Sequence, residues 1–134
     1  MAKVLCALRG ATGAENTIES ITKTVGEMCE KLFENNAVSM EDVVSLHFTI
    51  TDDLTAMNPA AALRKSGIKF DVSKLALFCS QEPKIDNSPE RMIRVLLTCY
   101  KEDSSEKKHV YINGAEKLRP DFDKKIKKLN KNQK

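Results

Sequence analysis

The chain has 134 residues and a formal net charge of +3, with 41% hydrophobic and 31% charged residues. That is the balance of one globular domain with a core, but with little room for a deeply enclosed site, so sites at subunit interfaces are favoured. Eight of its 22 Lys/Arg but only two of its 19 Asp/Glu lie in residues 117–134. The basic excess therefore belongs to the tail, and a slightly acidic body without aromatics among its basic residues excludes a nucleic-acid face there.

No segment reads as a membrane span, and Arg9 and Gly10 interrupt the short apolar start before it could form a secretory h-region. Cys6, Cys29, Cys79 and Cys99 show no metal-ligand spacing, and neither His47 nor His109 has a second ligand nearby in sequence. The expectation is no metal and a reducing cytoplasm.

In chain order, residues 3–9 alternate as a first strand ending at Gly10, with Leu5, Ala7 and Arg9 on one face. From Asn16 to about Phe33, Ile18, Ile21, Val25, Met28 and Leu32 follow helical spacing, and Asn16 with Glu19 resembles a capping box. A turn at residues 39–42 leads into a strand whose core face is Val44, Leu46, Phe48 and Ile50. Pro59 opens a short helix to Ser66 that stops at Gly67, with Arg64 in its last turn. Strands follow over residues 75–81, 91–100 and 110–112, the first two separated by a polar turn and the last preceded by a charged loop. This order predicts an α+β fold, a mixed β-sheet with helices on one face, as a single domain over residues 1–121. Residues 122–134 read as a basic, flexible C-terminal tail.

Arg94 is the residue that demands an explanation. It interrupts the apolar strand Met92-Ile93-Arg94-Val95-Leu96-Leu97, and a desolvated guanidinium needs an anionic partner. Arginine presents a rigid fork suited to carboxylates, and the chain has only five, Arg9, Arg64, Arg91, Arg94 and Arg119. There is no nucleophile elbow, no glycine-rich phosphate loop and no carboxylate pair on the strands. What remains is Arg9, Arg94 and Glu82 in or at the ends of strands, with Tyr111 on the short one. Two guanidinium groups, a carboxylate and a phenol suit a small dianion that also bears a hydroxyl.

Six segments carry a family resemblance: Leu8-Arg9-Gly10-Ala11-Thr12, Pro59-Ala60 with Arg64, Cys79-Ser80-Gln81-Glu82, Ile93-Arg94-Val95, His109-Val110-Tyr111 and Leu118-Arg119-Pro120-Asp121. Their order and spacing resemble the monofunctional AroH-class chorismate mutases over residues 3–121. The resemblance implies a trimeric pseudo-barrel with active sites between neighbouring subunits. It also implies an isomerase that converts chorismate to prephenate, in phenylalanine and tyrosine biosynthesis, without a cofactor. Residue by residue, it gives Arg94 the cation beside the breaking ether bond, and Arg9 and Tyr111 the substrate carboxylates. Glu82 and Cys79 fall to the ring hydroxyl, Arg64 and Arg119 to the cleft mouth, and Ala60 and Leu118 to apolar walls. Asn58 stands where the family commonly has an aromatic wall residue, Ala61 where a lysine is frequent and Gly13 where a second threonine follows Gly-Ala-Thr. His47 and His109 read as structural. Competing readings are an enamine/imine deaminase of the similarly folded trimeric group, and a non-enzymatic metabolite-binding module.

Overall fold

The computed structural model describes residues 2–120; the expected basic tail and Asp121 lie outside the described residues. Strand β1 (Lys3–Gly13) is followed by helix α1 (Ile18–Asn35), strand β2 (Val43–Ile50), helix α2 (Pro59–Lys65), and strands β3 (Leu77–Gln81), β4 (Met92–Glu102) and β5 (Val110–Ile112). The five strands form one mixed sheet in the order β3-β2-β4-β1-β5. The central strand β4 runs antiparallel to both neighbours, and the two edge strands are parallel to theirs.

Both helices pack on one face of that sheet. The stripe Ile21, Val25, Met28, Leu32 and Phe33 of α1 is fully buried, against Leu8 of β1, Leu46 and Phe48 of β2 and Ile93 and Leu97 of β4. Period-two strands and a period-3.6 helix thus bury one face each, and burial of each large side chain contributes about 1.5–3 kcal/mol. Among the described residues, the opposite sheet face carries no helix. It exposes Leu5, Phe78, Leu96 and Tyr100, of which Phe78 is 66% exposed.

Several local expectations change. The N-cap of α1 is Thr17, whose hydroxyl accepts from the Ser20 amide, and not Asn16. Asn16 instead ties the helix entry to the loop before α2, its Oδ1 accepting from the amides of Thr55 and Ala56 at 2.8 and 2.9 Å. Val44 is not core: a bulge between Val43 and Ser45 turns Val43 inward and leaves Val44 46% exposed. Strand β1 runs on through Gly10 to Gly13, because β4 continues to pair with it there. The short helix behaves as expected: the Asn58 side chain accepts from the Ala60 amide, Pro59 occupies the first turn, and Gly67 follows the end at a φ of +72°.

Candidate active site

The open face of the sheet holds the site, and the strand register builds it. Thr49 of β2 lies opposite Arg94 of β4, Arg94 opposite Ala11 of β1, and Ala11 opposite Tyr111 of β5. The adjacent row runs His47, Leu96 and Arg9 across the same three inner strands. Alternation puts both rows on the uncovered face. Ala11, small and fully buried, leaves the space beside Arg94 that a larger side chain would fill.

These two rows and Glu82 line a cavity of about 310 Å³, bounded by Arg9, Ala11, Thr49, Glu82, Arg94 and Tyr111, with His47 and Leu96 at its side. That volume lies at the small end for ligand pockets. Glu82 comes just after β3, where its amide donates to the Ile50 carbonyl at 2.8 Å and so fixes the end of the strand beside β2. Its Oε1 lies 2.7 Å from Arg94 Nε and accepts from the Thr49 hydroxyl at 3.1 Å. The ion pair is close, yet the buried Nε–H is not aimed at the oxygen and has no hydrogen-bond acceptor among the described residues. Charge attraction, and not a directed hydrogen bond, holds the two groups. Glu82 occupies only one edge of the guanidinium, so the terminal amino groups of this half-buried arginine remain for an anion.

The edge of β1 is closed by an imidazole. Pairing between β1 and β5 starts at Gly10 opposite Val110, and one residue earlier the Arg9 amide donates to His109 Nδ1 at 2.9 Å. Burial, and then the cations of Arg9, Arg119 and Lys107, hold the His109 pKa below the ordinary histidine value. Leu118 packs against the small cluster of Ala11, Met92 and Ala115 that also supports Tyr111.

The other candidate residues lie elsewhere. Asn58 caps α2, Ala60 is 8% exposed in the core, and Arg64 borders a separate hollow with Phe70 and Asp71. Cys79 packs against the main core, and burial raises its thiol pKa. None of these four lines the cavity. Thr49 and His47 do line it, although sequence reasoning assigned Thr49 nothing and gave His47 a structural role. The signal available was their parity with Arg94, which becomes readable only once the pairing of β2 with β4 is known. Among the described residues no group of three His, Cys, Asp or Glu is placed to hold a metal ion, and no helix is long and apolar enough to cross a membrane.

A family model, Chorismate mutase type I, matches residues 5–122. The chain belongs to the type I chorismate mutase family. The chorismate mutase AroH of Thermus thermophilus is 34% identical over 119 residues, covering 87% of this chain and 94% of that protein. The chorismate mutase AroH of Bacillus subtilis is 34% identical over 118 residues, covering 86% and 90%. Among solved structures, a chorismate mutase from Clostridium thermocellum aligns with a TM-score of 0.75 at 35% identity, covering 84% of this chain and 99% of that one. The fold is therefore that of the AroH chorismate mutases, and the enzyme is an intramolecular transferase of aromatic amino acid biosynthesis. The deaminase and binding-module readings find no support in these matches. One departure from the family pattern now has a physical reason. A Cβ on Gly13 would stand 2.2 Å from the Asn113 carbonyl oxygen, where the chain of this mutase turns back through Asn113 and Gly114 at positive φ.

Proposed function

We propose that the cavity on the open sheet face is the chorismate site, and that Arg94 is its principal catalytic group. The rearrangement of chorismate to prephenate is a pericyclic [3,3] shift, in which no proton moves and no covalent intermediate forms. The carbon–oxygen bond breaks ahead of carbon–carbon bond formation, so negative charge grows on the ether oxygen. A fixed guanidinium beside that oxygen binds the transition state more tightly than the substrate, which is the condition for acceleration. The observation that carries this reading is Arg94 held half-buried on the central strand, engaged by Glu82 at one edge only, with Arg9 and Tyr111 in the same cavity.

Arg9 and Tyr111 bind the substrate carboxylates, and Glu82 accepts from the ring hydroxyl through the oxygen that Thr49 and Arg94 leave available. Arg119 stands at the mouth and Leu118 supports the wall. Holding the ether side chain folded over the ring adds an orientation term. Asn58, Ala60, Arg64 and Cys79 reach a cavity only across a subunit boundary: each site is closed by the α2 and β3 region of a neighbouring copy in a homotrimer. The apolar, uncovered sheet face with Leu5, Phe78, Leu96 and Tyr100 supports that assembly. A reducing cytoplasm suits the cysteine usage of the chain.

The test is to mix the purified protein with chorismate, follow loss of the diene absorbance and identify prephenate, with the mass in solution measured by light scattering. Turnover by a trimer is expected. A folded trimer that leaves chorismate unchanged overturns the reading.

A further inference from the structure

We propose that His109 is a positioning residue for the carboxylate-binding Arg9: its neutral ring accepts the Arg9 amide through Nδ1 and fixes the edge at which β1 and β5 present Arg9 and Tyr111 to the substrate. The inference rests on the reading of the cavity as the chorismate site.

The geometry is specific. Strand β5 has only three residues, and its pairing with β1 covers Gly10, Ala11 and Thr12 opposite Val110, Tyr111 and Ile112. The ladder ends one residue short of Arg9. The amide of Arg9 would then face the edge without a strand partner, and the His109 ring supplies the acceptor, at 2.9 Å. A three-residue parallel pairing is weak by itself. One side chain, from the residue just before β5, thus extends the ladder by one bond at the residue that must hold its guanidinium steady.

The acceptor works only while Nδ1 carries no proton. Among the described residues, the charged groups that act on the ring are Arg9 from β1, Lys107 from the preceding loop and Arg119 from the segment after Ala115–Leu118. On the α1 side, the Glu27 carboxylate accepts from Asn113 Nδ2 at 2.8 Å. Protonation of Nδ1 removes the acceptor and adds a like charge beside Arg9, which loosens the edge. The consequence falls on substrate binding more than on the bond-breaking step, because a carboxylate contact is made in ground and transition states alike.

Steady-state kinetics with chorismate on the full-length wild type, H109N and H109L test this over about pH 5.5 to 8.5, where histidine changes charge and ordinary carboxylates do not. H109L offers no acceptor, and its KM is expected to rise about tenfold across the range, with a smaller change in kcat. H109N places Oδ1 where Nδ1 stood and restores KM toward the wild type. The wild-type KM climbs as the pH falls from about 6.5 toward the depressed pKa of the folded His109, whereas that of H109N, whose acceptor cannot be protonated, stays level. His47, the other histidine of the chain and one that lines the cavity, is retained in H109N, so loss of the acid limb in that variant belongs to position 109. An acid limb in H109N equal to that of the wild type overturns the inference, as does an unchanged KM in H109L. If H109L does not fold, the comparison of H109N with the wild type decides alone. A wild type that never consumes chorismate is a separate failure, and overturns the reading of the site itself.

Discussion

A lysine at position 94 would keep the positive charge and still answer Glu82, but it would place a single mobile ammonium where a planar fork now stands. Arg94 meets its carboxylate through Nε, and in the proposed mechanism the remaining edge of the guanidinium is what the growing negative charge meets. R94K should therefore lower kcat/KM by about 10²–10³, the loss seen when a preorganised oxyanion donor is removed. The melting temperature should move little, since a cation still balances the half-buried Glu82. Turnover within tenfold of the wild type, measured by the same diene assay, would contradict the assignment. Arg94 could be picked out from the sequence because charge inside an apolar strand is costly, and Glu82, at a strand end, only as one of a set with Arg9 and Tyr111 suited to a hydroxyl-bearing dianion. Thr49 and His109 could not: a hydroxyl on a half-exposed strand, or an imidazole just before one, has no sequence signature, and each is marked only by the group that the strand pairing sets against it.

The strand pairs do more for the site than the helices do. Thr49, Arg94, Ala11 and Tyr111 form one row across four strands, so a displacement of β5 relative to β1 moves Tyr111 directly. Gly13 guards that displacement, because any Cβ there would meet the Asn113 carbonyl oxygen at 2.2 Å. G13T should cost about 1–3 kcal/mol of stability, the ordinary penalty for overpacking, and should raise KM for chorismate as Asn113 and its strand shift. A urea midpoint and a KM both equal to the wild type would show that the turn gives way freely. The elements themselves were legible in outline because their apolar periods are strong, as in α1. Where the expectation failed, a local device had intervened. The bulge between Val43 and Ser45 exchanged the faces of two valines, and Thr17 took the cap because the Asn16 carboxamide reaches the amides of Thr55 and Ala56 instead.

For the molecule as a whole, the uncovered sheet face and the response to acid set the conditions under which the site survives. Leu5 and Tyr100 lie opposite each other on that face, 58% and 46% exposed, and neither lines the cavity. L5D should therefore leave the monomer fold intact by circular dichroism while reducing the mass found by light scattering to that of a monomer. Activity should fall with the assembly; a fully active monomer would show that one chain completes its own site. Acid acts through a different group. The folded chain holds the His109 pKa below the ordinary value of about 6.5, so as the pH falls through that value the unfolded chain takes up a proton that the folded chain still refuses. Stability rises with pH wherever the unfolded state binds more protons; this part of the stability is therefore complete above about pH 6.5 and is lost progressively down to the depressed folded pKa. Asp42 and Asp71, whose pKa values are lowered chiefly by hydrogen bonds from Lys3 and Ser73, act in a separate window, beginning as the pH approaches the ordinary carboxylate value near about 3.9 and continuing below it. Urea midpoints of the wild type should then fall between about pH 7 and 5.5, while those of H109N stay level across the same interval. Parallel curves for the two proteins would place the acid sensitivity elsewhere.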